Sequence, residues 1–219
     1  MGFRVVCISR TIGAEGERIG QTVAQQLGFR YVDEQIIAKA AQLAQVDPAL
    51  VTAAEHQRPL LQRLVDKLAL ARDAAAPVTL ATGLPLTVLA PAGSGYRATA
   101  DDLRILIRAA IHEVARAGRA VIVAHAASMA LTGVDGVLRV LVTASPDTRA
   151  RRLAAAQGTD AEAAAAAITA SDRERRNYFQ HFYHLKEELP THYDVVINTD
   201  VLTPEQAVRV IVSAAHNAS

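Results

Sequence analysis

The segment from residue 9 to residue 20 carries the residue types best suited to binding phosphate. It has the sequence SRTIGAEGERIG and lies between a β-branched apolar run and a helical pattern. A loop at a helix N-terminus exposes backbone N–H groups, and the helix dipole favours an anion there. Only part of the Walker A pattern is present, because Gly16 stands where its lysine would fall. An ordinary strand-to-helix turn with glycines is therefore the alternative interpretation.

Charged side chains in this loop act in opposite directions. Arg10 and Arg18 flank the predicted helix start and could supply the positive charge of the missing lysine. Glu15 and Glu17 suit the helix dipole, but they would repel a phosphate bound at the same place.

A second group of residues is rich in arginine. Arg149, Arg151 and Arg152 are followed by the run DRERR at 172–176 and by Tyr178. In phosphoryl-transfer proteins, arginines on a mobile lid neutralise charge on the transferred group. On a helix, Asp172, Arg175 and Arg176 would share a face. The alternative interpretation is a solvated helix surface with ion pairs inside the helix. The run follows the penultimate predicted strand, which favours the lid at about 149–190.

These residues must be positioned by an alternating series of strands and helices. Strands are predicted at 3–9, 31–33, 120–124, 137–143 and 194–198. Helical patterns lie between them, and residues 161–183 form one helix or two. Strands that are apolar on both faces indicate a mostly parallel sheet covered on both sides. We therefore predict one α/β domain over residues 1–219, with an insert at about 38–98 whose part from 76 to 97 is a loop rich in Pro and Gly.

Composition narrows the class of protein. A formal net charge of +1 marks the chain as neither a nucleic-acid nor a membrane binder, and no segment reaches the length of a membrane span. The single Cys7 excludes an internal disulfide framework and favours a reducing, cytoplasmic location. His181, His184 and His192 match no standard zinc spacing, so no metal site is predicted from them.

Five segments together resemble the cytidylate kinase-like family. Residues 8–37 are similar to its opening, I-S-R-x-x-G-S-G-G-R-x-I followed by L-G-x-x-Y-x-D, which itself lacks the Walker lysine. VIVAHAA at 121–127 is similar to V-I-V-G-R-G-A, and VTASPDTRARRL at 142–153 to A-x-x-x-x-R-x-x-R. DRERRNYF at 172–179 is similar to D-x-x-R-x-x-Y-Y, and YDVVINTD at 193–200 to Y-D-L-V-I-N-T.

The resemblance implies a three-layer P-loop NTPase-like fold with a helical lid, and phosphoryl transfer from ATP, with Mg²⁺, to CMP, dCMP or a related small acceptor. The residues carried over position by position are Ser9, Arg10, Gly13, Ala14, Gly16 and Arg18 for the ATP phosphates, Tyr31, Asp33, His125, Asp172 and Tyr178 for the acceptor side, and Arg149, Arg175 and Arg176 as catalytic arginines. Its partners would be small-molecule nucleotides. An apolar helix face such as that from Leu60 to Leu68 more often belongs to the core, although an exposed version could serve a homodimer.

Two departures from the family pattern bear on activity. Glu15 replaces a glycine that lets the backbone approach phosphate. His125 replaces an arginine, and histidine is only partly charged at neutral pH and makes no bidentate contact. The alternative function is therefore a catalytically impaired nucleotide-binding regulatory protein on the same fold.

Overall fold

The first strand, rich in β-branched residues, lies at the centre of a parallel sheet. The computed structural model describes residues 2–33, 100–124 and 126–217. Its strands are β1 (Val5–Arg10), β2 (Arg30–Asp33), β3 (Ala120–Val123), β4 (Val137–Thr143) and β5 (Val195–Asn198). They are arranged in the order β2-β3-β1-β4-β5, and every pairing is parallel. All five strands agree with the sequence prediction to within two residues.

The helices of the described part alternate with these strands, and all but the short helix at 127–130 lie in segments with a predicted helical pattern. They are α1 (Gly16–Leu27), α2 (Ala100–Ala117), α3 (Ala127–Ala130), α4 (Pro146–Gln157), α5 (Ala161–Tyr183) and α6 (Pro204–His216), with a 3₁₀ turn at Pro190–His192. The segment 161–183 is thus one continuous helix of 23 residues.

Side-chain caps explain where three of these six helices begin. Ser145, Asp160 and Thr203 each accept a backbone N–H of the following first turn, at α4, α5 and α6. Such a cap satisfies a donor that the helix itself leaves unpaired. Gly28 ends α1 in the left-handed conformation, with φ 62°.

Two apolar layers cover the sheet. On one face, Ile19 and Val23 of α1 and Ile211 of α6 pack with Ile8 and Val140. On the other face, α3 and the end of α5 form a second cluster that contains Met129, Phe179 and Tyr193, packed with Leu141 of β4. The predicted α/β class, a parallel sheet with helices on both faces, is confirmed.

The chain divides into two compact units, residues 1–34 with 118–219 and residues 35–117. All five strands belong to the first unit, and α2 belongs to the second. The predicted insert at 38–98, its loop and the helix face of Leu60–Leu68 lie outside the described residues. None of the described helices is long and apolar enough to cross a membrane.

Candidate functional site

The loop between β1 and α1 is held tightly at both sides. The Thr11 N–H donates to the Val142 carbonyl at 3.1 Å, and the Ala14 N–H donates back to the Thr11 carbonyl at 3.1 Å. Gly13 has φ 78°, and a Cβ there would lie 2.7 Å from the carbonyl oxygen of Arg149. The loop therefore packs directly on the backbone of α4, and only glycine fits at this position.

Helix α1 begins without a side-chain cap. Its N-cap residue is Glu15, which has left-handed φ 67° and ψ 16° and whose carboxylate makes no capping hydrogen bond. The first N–H groups of a helix have no partner within the helix. This N-terminus is therefore a place where an anion could bind.

Arg10 lies across the start of α1. A Cβ on Gly16 would be 2.5 Å from the Cβ of Arg10, so the arginine occupies the space that a larger residue would fill. Its guanidinium pairs with Glu17 at 2.5 Å. The Nε–H of Arg10 is buried and has no hydrogen-bond partner among the described residues.

Arg18 is directed to α6. It pairs with Glu205 at 2.8 Å and more distantly with Glu15 at 3.6 Å, and its side chain is 63% exposed. An ion pair this exposed contributes little to stability.

Arg149 joins the two helices of the predicted lid. Its guanidinium is 4% exposed and makes a bidentate pair with Asp172 of α5, at 2.8 and 2.6 Å. The Nε–H of Arg149, like that of Arg10, is buried without a partner in the described part of the chain.

Arg175 extends from α5 to the glycine loop. It donates to both oxygens of Glu188, at 2.8 and 2.6 Å, and to the carbonyl of Arg10 at 3.1 Å. A fourth bond, at 3.4 Å, goes to the hydroxyl of Tyr193, and the guanidinium lies 4.7 Å from the ring centre of Phe179. Burial by itself would lower the pKa of Arg175, but the hydrogen bonds and charge of Glu188 raise it.

Asp172, Arg175 and Arg176 lie at neighbouring positions of the continuous helix α5, as predicted, but Arg175 and Arg176 differ in their surroundings. Arg175 is buried, whereas Arg176 is exposed and makes no ion pair with the described residues. The ion pairs of this helix also run to other segments and not along the helix itself, as in Arg149–Asp172.

The predicted acceptor-side residues are in different surroundings. Asp33, at the end of β2, is buried. A Cβ on Gly20 of α1 would lie 3.4 Å from the ring of Tyr31, so this ring packs near α1. Tyr178 belongs to an aromatic cluster, 4.7 Å from the ring of Phe182. His125 lies outside the described residues.

Three residues of this site were not among the predicted ones. Thr199, directly after β5, accepts from Arg152 at 2.9 Å through its hydroxyl and donates to the Ala14 carbonyl at 3.3 Å. Glu188 and Tyr193 hold Arg175. Tyr193 and Thr199 lie in the YDVVINTD segment, whereas Glu188 lies outside the five segments that resemble the family.

The structure thus brings the predicted loop, Arg149 and Arg175 together at the carboxyl end of β1. Ser9, the residue before Arg10, is fully buried, and its hydroxyl donates to the hydroxyl of Ser128 at 3.3 Å. Two buried guanidinium N–H groups without described partners, beside an uncapped helix N-terminus, fit a phosphate group. The described residues contain no group of three or more histidine, cysteine, aspartate or glutamate side chains that could hold a metal ion.

Comparison with known proteins now identifies the class. The model of the cytidylate kinase-like family matches residues 5–201. The chain therefore belongs to the cytidylate kinase-like family, as its motifs predicted. Comparison with curated proteins gives no match.

Three solved structures are similar to this chain at low sequence identity. An uncharacterized protein from Eubacterium ventriosum is 14% identical, with 95% of this chain and 96% of that chain covered and a TM-score of 0.62. A shikimate kinase from Bacteroides thetaiotaomicron is 15% identical, with 95% and 94% covered and a TM-score of 0.47. TT1252 from Thermus thermophilus is 16% identical, with 97% and 98% covered and a TM-score of 0.41. The first likeness shows a shared fold.

Proposed function

We propose that this protein is a nucleoside monophosphate kinase that transfers the terminal phosphoryl group of ATP to CMP, dCMP or a related small acceptor. Membership of the cytidylate kinase-like family supports this function. The observation that carries it is the glycine loop at the uncapped start of α1, together with the buried Nε–H groups of Arg10 and Arg149, which have no partner within residues 2–33, 100–124 and 126–217.

In this proposal the loop holds the ATP phosphates through backbone N–H groups and through Arg10. An oxygen of the acceptor phosphate attacks the terminal phosphorus, the bond to the bridging oxygen breaks, and ADP leaves with that oxygen's electron pair. No covalent enzyme intermediate is needed, since positioning and charge neutralisation supply most of the catalysis. Arg149 and the exposed Arg176 would face the transferred group. Mg²⁺ is implied by the family, and we assign no step to it.

The acceptor side of the proposal rests on the carried-over Tyr31, Asp33, Asp172 and Tyr178. Asp172 already pairs with Arg149, so any acceptor contact from this carboxylate would share it with the arginine. A cytoplasmic location goes with the proposal, because ATP is available there and the buried Cys7 would stay reduced.

The test is a coupled ATP-consumption assay with Mg²⁺, offering CMP, dCMP, UMP, AMP and GMP in turn. Arg176→Gln should lower kcat at least tenfold with an unchanged melting temperature, because Arg176 is exposed and makes no ion pair with the described residues. Arg173→Gln is the matched control, because Arg173 is also an exposed arginine of α5. This variant should leave kcat within twofold of the wild type. Equal effects of the two variants, or no turnover with any acceptor, would contradict the proposal.

A second function, nucleotide binding without catalysis, is favoured by a specific observation. The charges of Arg10, Arg18, Arg149 and Arg175 are already matched by carboxylates. A transferred phosphoryl group would gain less from arginines that are neutralised in this way. Absence of turnover with every acceptor, together with a rise in melting temperature on adding ATP or CMP, would support this second function.

A further inference from the structure

The guanidinium of Arg175 is almost fully used within the protein. An arginine has five N–H donors. Four hydrogen bonds leave this one, two to Glu188, one to the Arg10 carbonyl and one to the Tyr193 hydroxyl. The bidentate geometry on Glu188 fixes the plane of the guanidinium, and with it the direction of the bond to Arg10.

This network is buried and charged. Arg175 is 7% exposed and Tyr193 is 6% exposed. The Tyr193 hydroxyl donates a hydrogen bond to Glu188. Burial alone would raise the pKa of Glu188, but the hydrogen bonds from Arg175 and Tyr193 keep it below its ordinary value. Glu188 is therefore ionised at neutral pH. It forms an ion pair with Arg175 and also accepts the hydrogen bond from the Tyr193 hydroxyl.

The network ends on the backbone of the glycine loop. Arg175 holds the carbonyl of Arg10, the last residue of β1. The side chain of the same Arg10 lies over Gly16 and pairs with Glu17. The orientation of the Arg10 peptide therefore determines where its guanidinium meets the start of α1.

We propose that Glu188 is a positioning residue which, through Arg175, fixes the Arg10 backbone and so the shape of the glycine loop, and that Arg175 remains on Glu188 when the loop binds phosphate. The loop's ligand rests on the proposed function above. The assignment gives Arg175 a supporting role in place of direct contact with the transferred group.

A competing model has a phosphate displace Glu188 from Arg175. Displacement would leave Glu188 buried without its cation, which is a costly state for a carboxylate. If Arg175 moved with the phosphate, its hydrogen bond to the Arg10 carbonyl would also break. If Arg175 stayed in place, that carbonyl would no longer be held by a guanidinium fixed on Glu188. The two models predict opposite effects of removing the charge of Glu188.

The experiment compares Glu188→Gln, Glu188→Asp and Tyr193→Phe in the full-length protein with the control Arg139→Gln. The control breaks another arginine–carboxylate pair, Arg139–Asp194, while the backbone N–H of residue 139 stays on the carboxylate. Amide hydrogen exchange of residues 10–18 is measured without ligand. Binding of inorganic tripolyphosphate and of ATP is measured by calorimetry.

We expect Glu188→Gln to speed exchange in residues 10–18 at least tenfold and to weaken tripolyphosphate binding at least tenfold. Glu188→Asp should recover part of both. Arg139→Gln should lower the melting temperature yet leave both quantities within twofold of the wild type. If Glu188→Gln does not fold, Tyr193→Phe keeps the ring and should show both effects at about threefold.

Tighter tripolyphosphate binding by Glu188→Gln would overturn the inference in favour of phosphate displacement. Unchanged exchange in residues 10–18 would overturn it as well. If the wild type binds neither tripolyphosphate nor ATP, the proposed function fails, while the exchange data on the ligand-free protein still decide the role of Glu188.

Discussion

Replacing Glu15 by glycine tests two properties of this residue, its left-handed backbone conformation and its negative charge. Glu15 is held at φ 67°, where a side chain with a Cβ is strained by about 1–2 kcal/mol. Glycine removes that strain but adds about 0.4–1 kcal/mol of chain entropy to the unfolded state. The 3.6 Å contact of Glu15 with Arg18 is partly exposed and contributes at most about 0.5 kcal/mol. The expected net change is a stabilisation of about 0.5 kcal/mol.

The second effect is electrostatic. A carboxylate beside a bound phosphate at a partly exposed site opposes binding by roughly 1 kcal/mol, or about fivefold in Kd. Glu15→Gly should therefore bind tripolyphosphate about fivefold more tightly. Glu15→Gln is the matched variant, because it removes the charge and retains the Cβ. It should tighten binding equally and leave the free energy of unfolding within about 0.3 kcal/mol of the wild type.

Urea unfolding measures the first effect, and calorimetric titration measures the second. A Glu15→Gly protein less stable than the wild type would show that the left-handed conformation is not strained at this position. Unchanged affinity in both variants would show that the Glu15 charge does not reach the ligand. Tighter binding by Gly alone would assign the effect to backbone shape and not to charge.

Three further predictions follow from the packing around the loop. Gly13→Ala should lower the free energy of unfolding, measured in urea, by about 2–3 kcal/mol, because its Cβ would meet the Arg149 carbonyl. The control Gly158→Ala, at a similar φ with open space around it, should lower it by only about 1 kcal/mol, and equal losses would contradict the close contact at Gly13. Asp172→Asn should lower it by about 3–5 kcal/mol, because it leaves Arg149 buried without its counter-charge; a loss under about 1 kcal/mol would mean that solvent reaches this guanidinium. The pKa of Glu188 is held below its ordinary value, so its stabilising contribution is complete at neutral pH and is lost as the pH falls below about 5; the acid limb of a stability–pH curve should be shallower in Glu188→Gln, and an unchanged slope would refute this.

The strands and most helices were predictable because they depend on local patterns. Val5 to Ile8 form an uninterrupted β-branched and apolar run, and such a run at the centre of a parallel sheet is buried on both faces. The N-cap at Thr203 and the helix-ending glycine Gly28 can likewise be recognised from a few neighbouring residues of the sequence.

The partners of the arginines were not predictable in this way. Arg175 and Glu188 are 13 residues apart, and Arg175 and Arg10 are 165 apart. Charge patterns along one helix report neighbours three or four residues away, so they could not indicate that Arg175 is buried against Glu188 while Arg176 is exposed. Which carboxylate reaches which guanidinium is determined by how α5 packs on the loop, and a single sequence carries no direct record of that packing.

The pairing of the loop arginines with carboxylates has a consequence for the speed of encounter. Arg10, Arg18, Arg149 and Arg175 each face an acidic partner, so the field of each pair is that of a dipole and fades over a few ångströms. These four arginines would then add little long-range steering for an incoming polyanion, and any dependence of the association rate on ionic strength would come from exposed arginines such as Arg176. Selectivity among ligands at this loop would then come mainly from differences in dissociation rate and not in association rate.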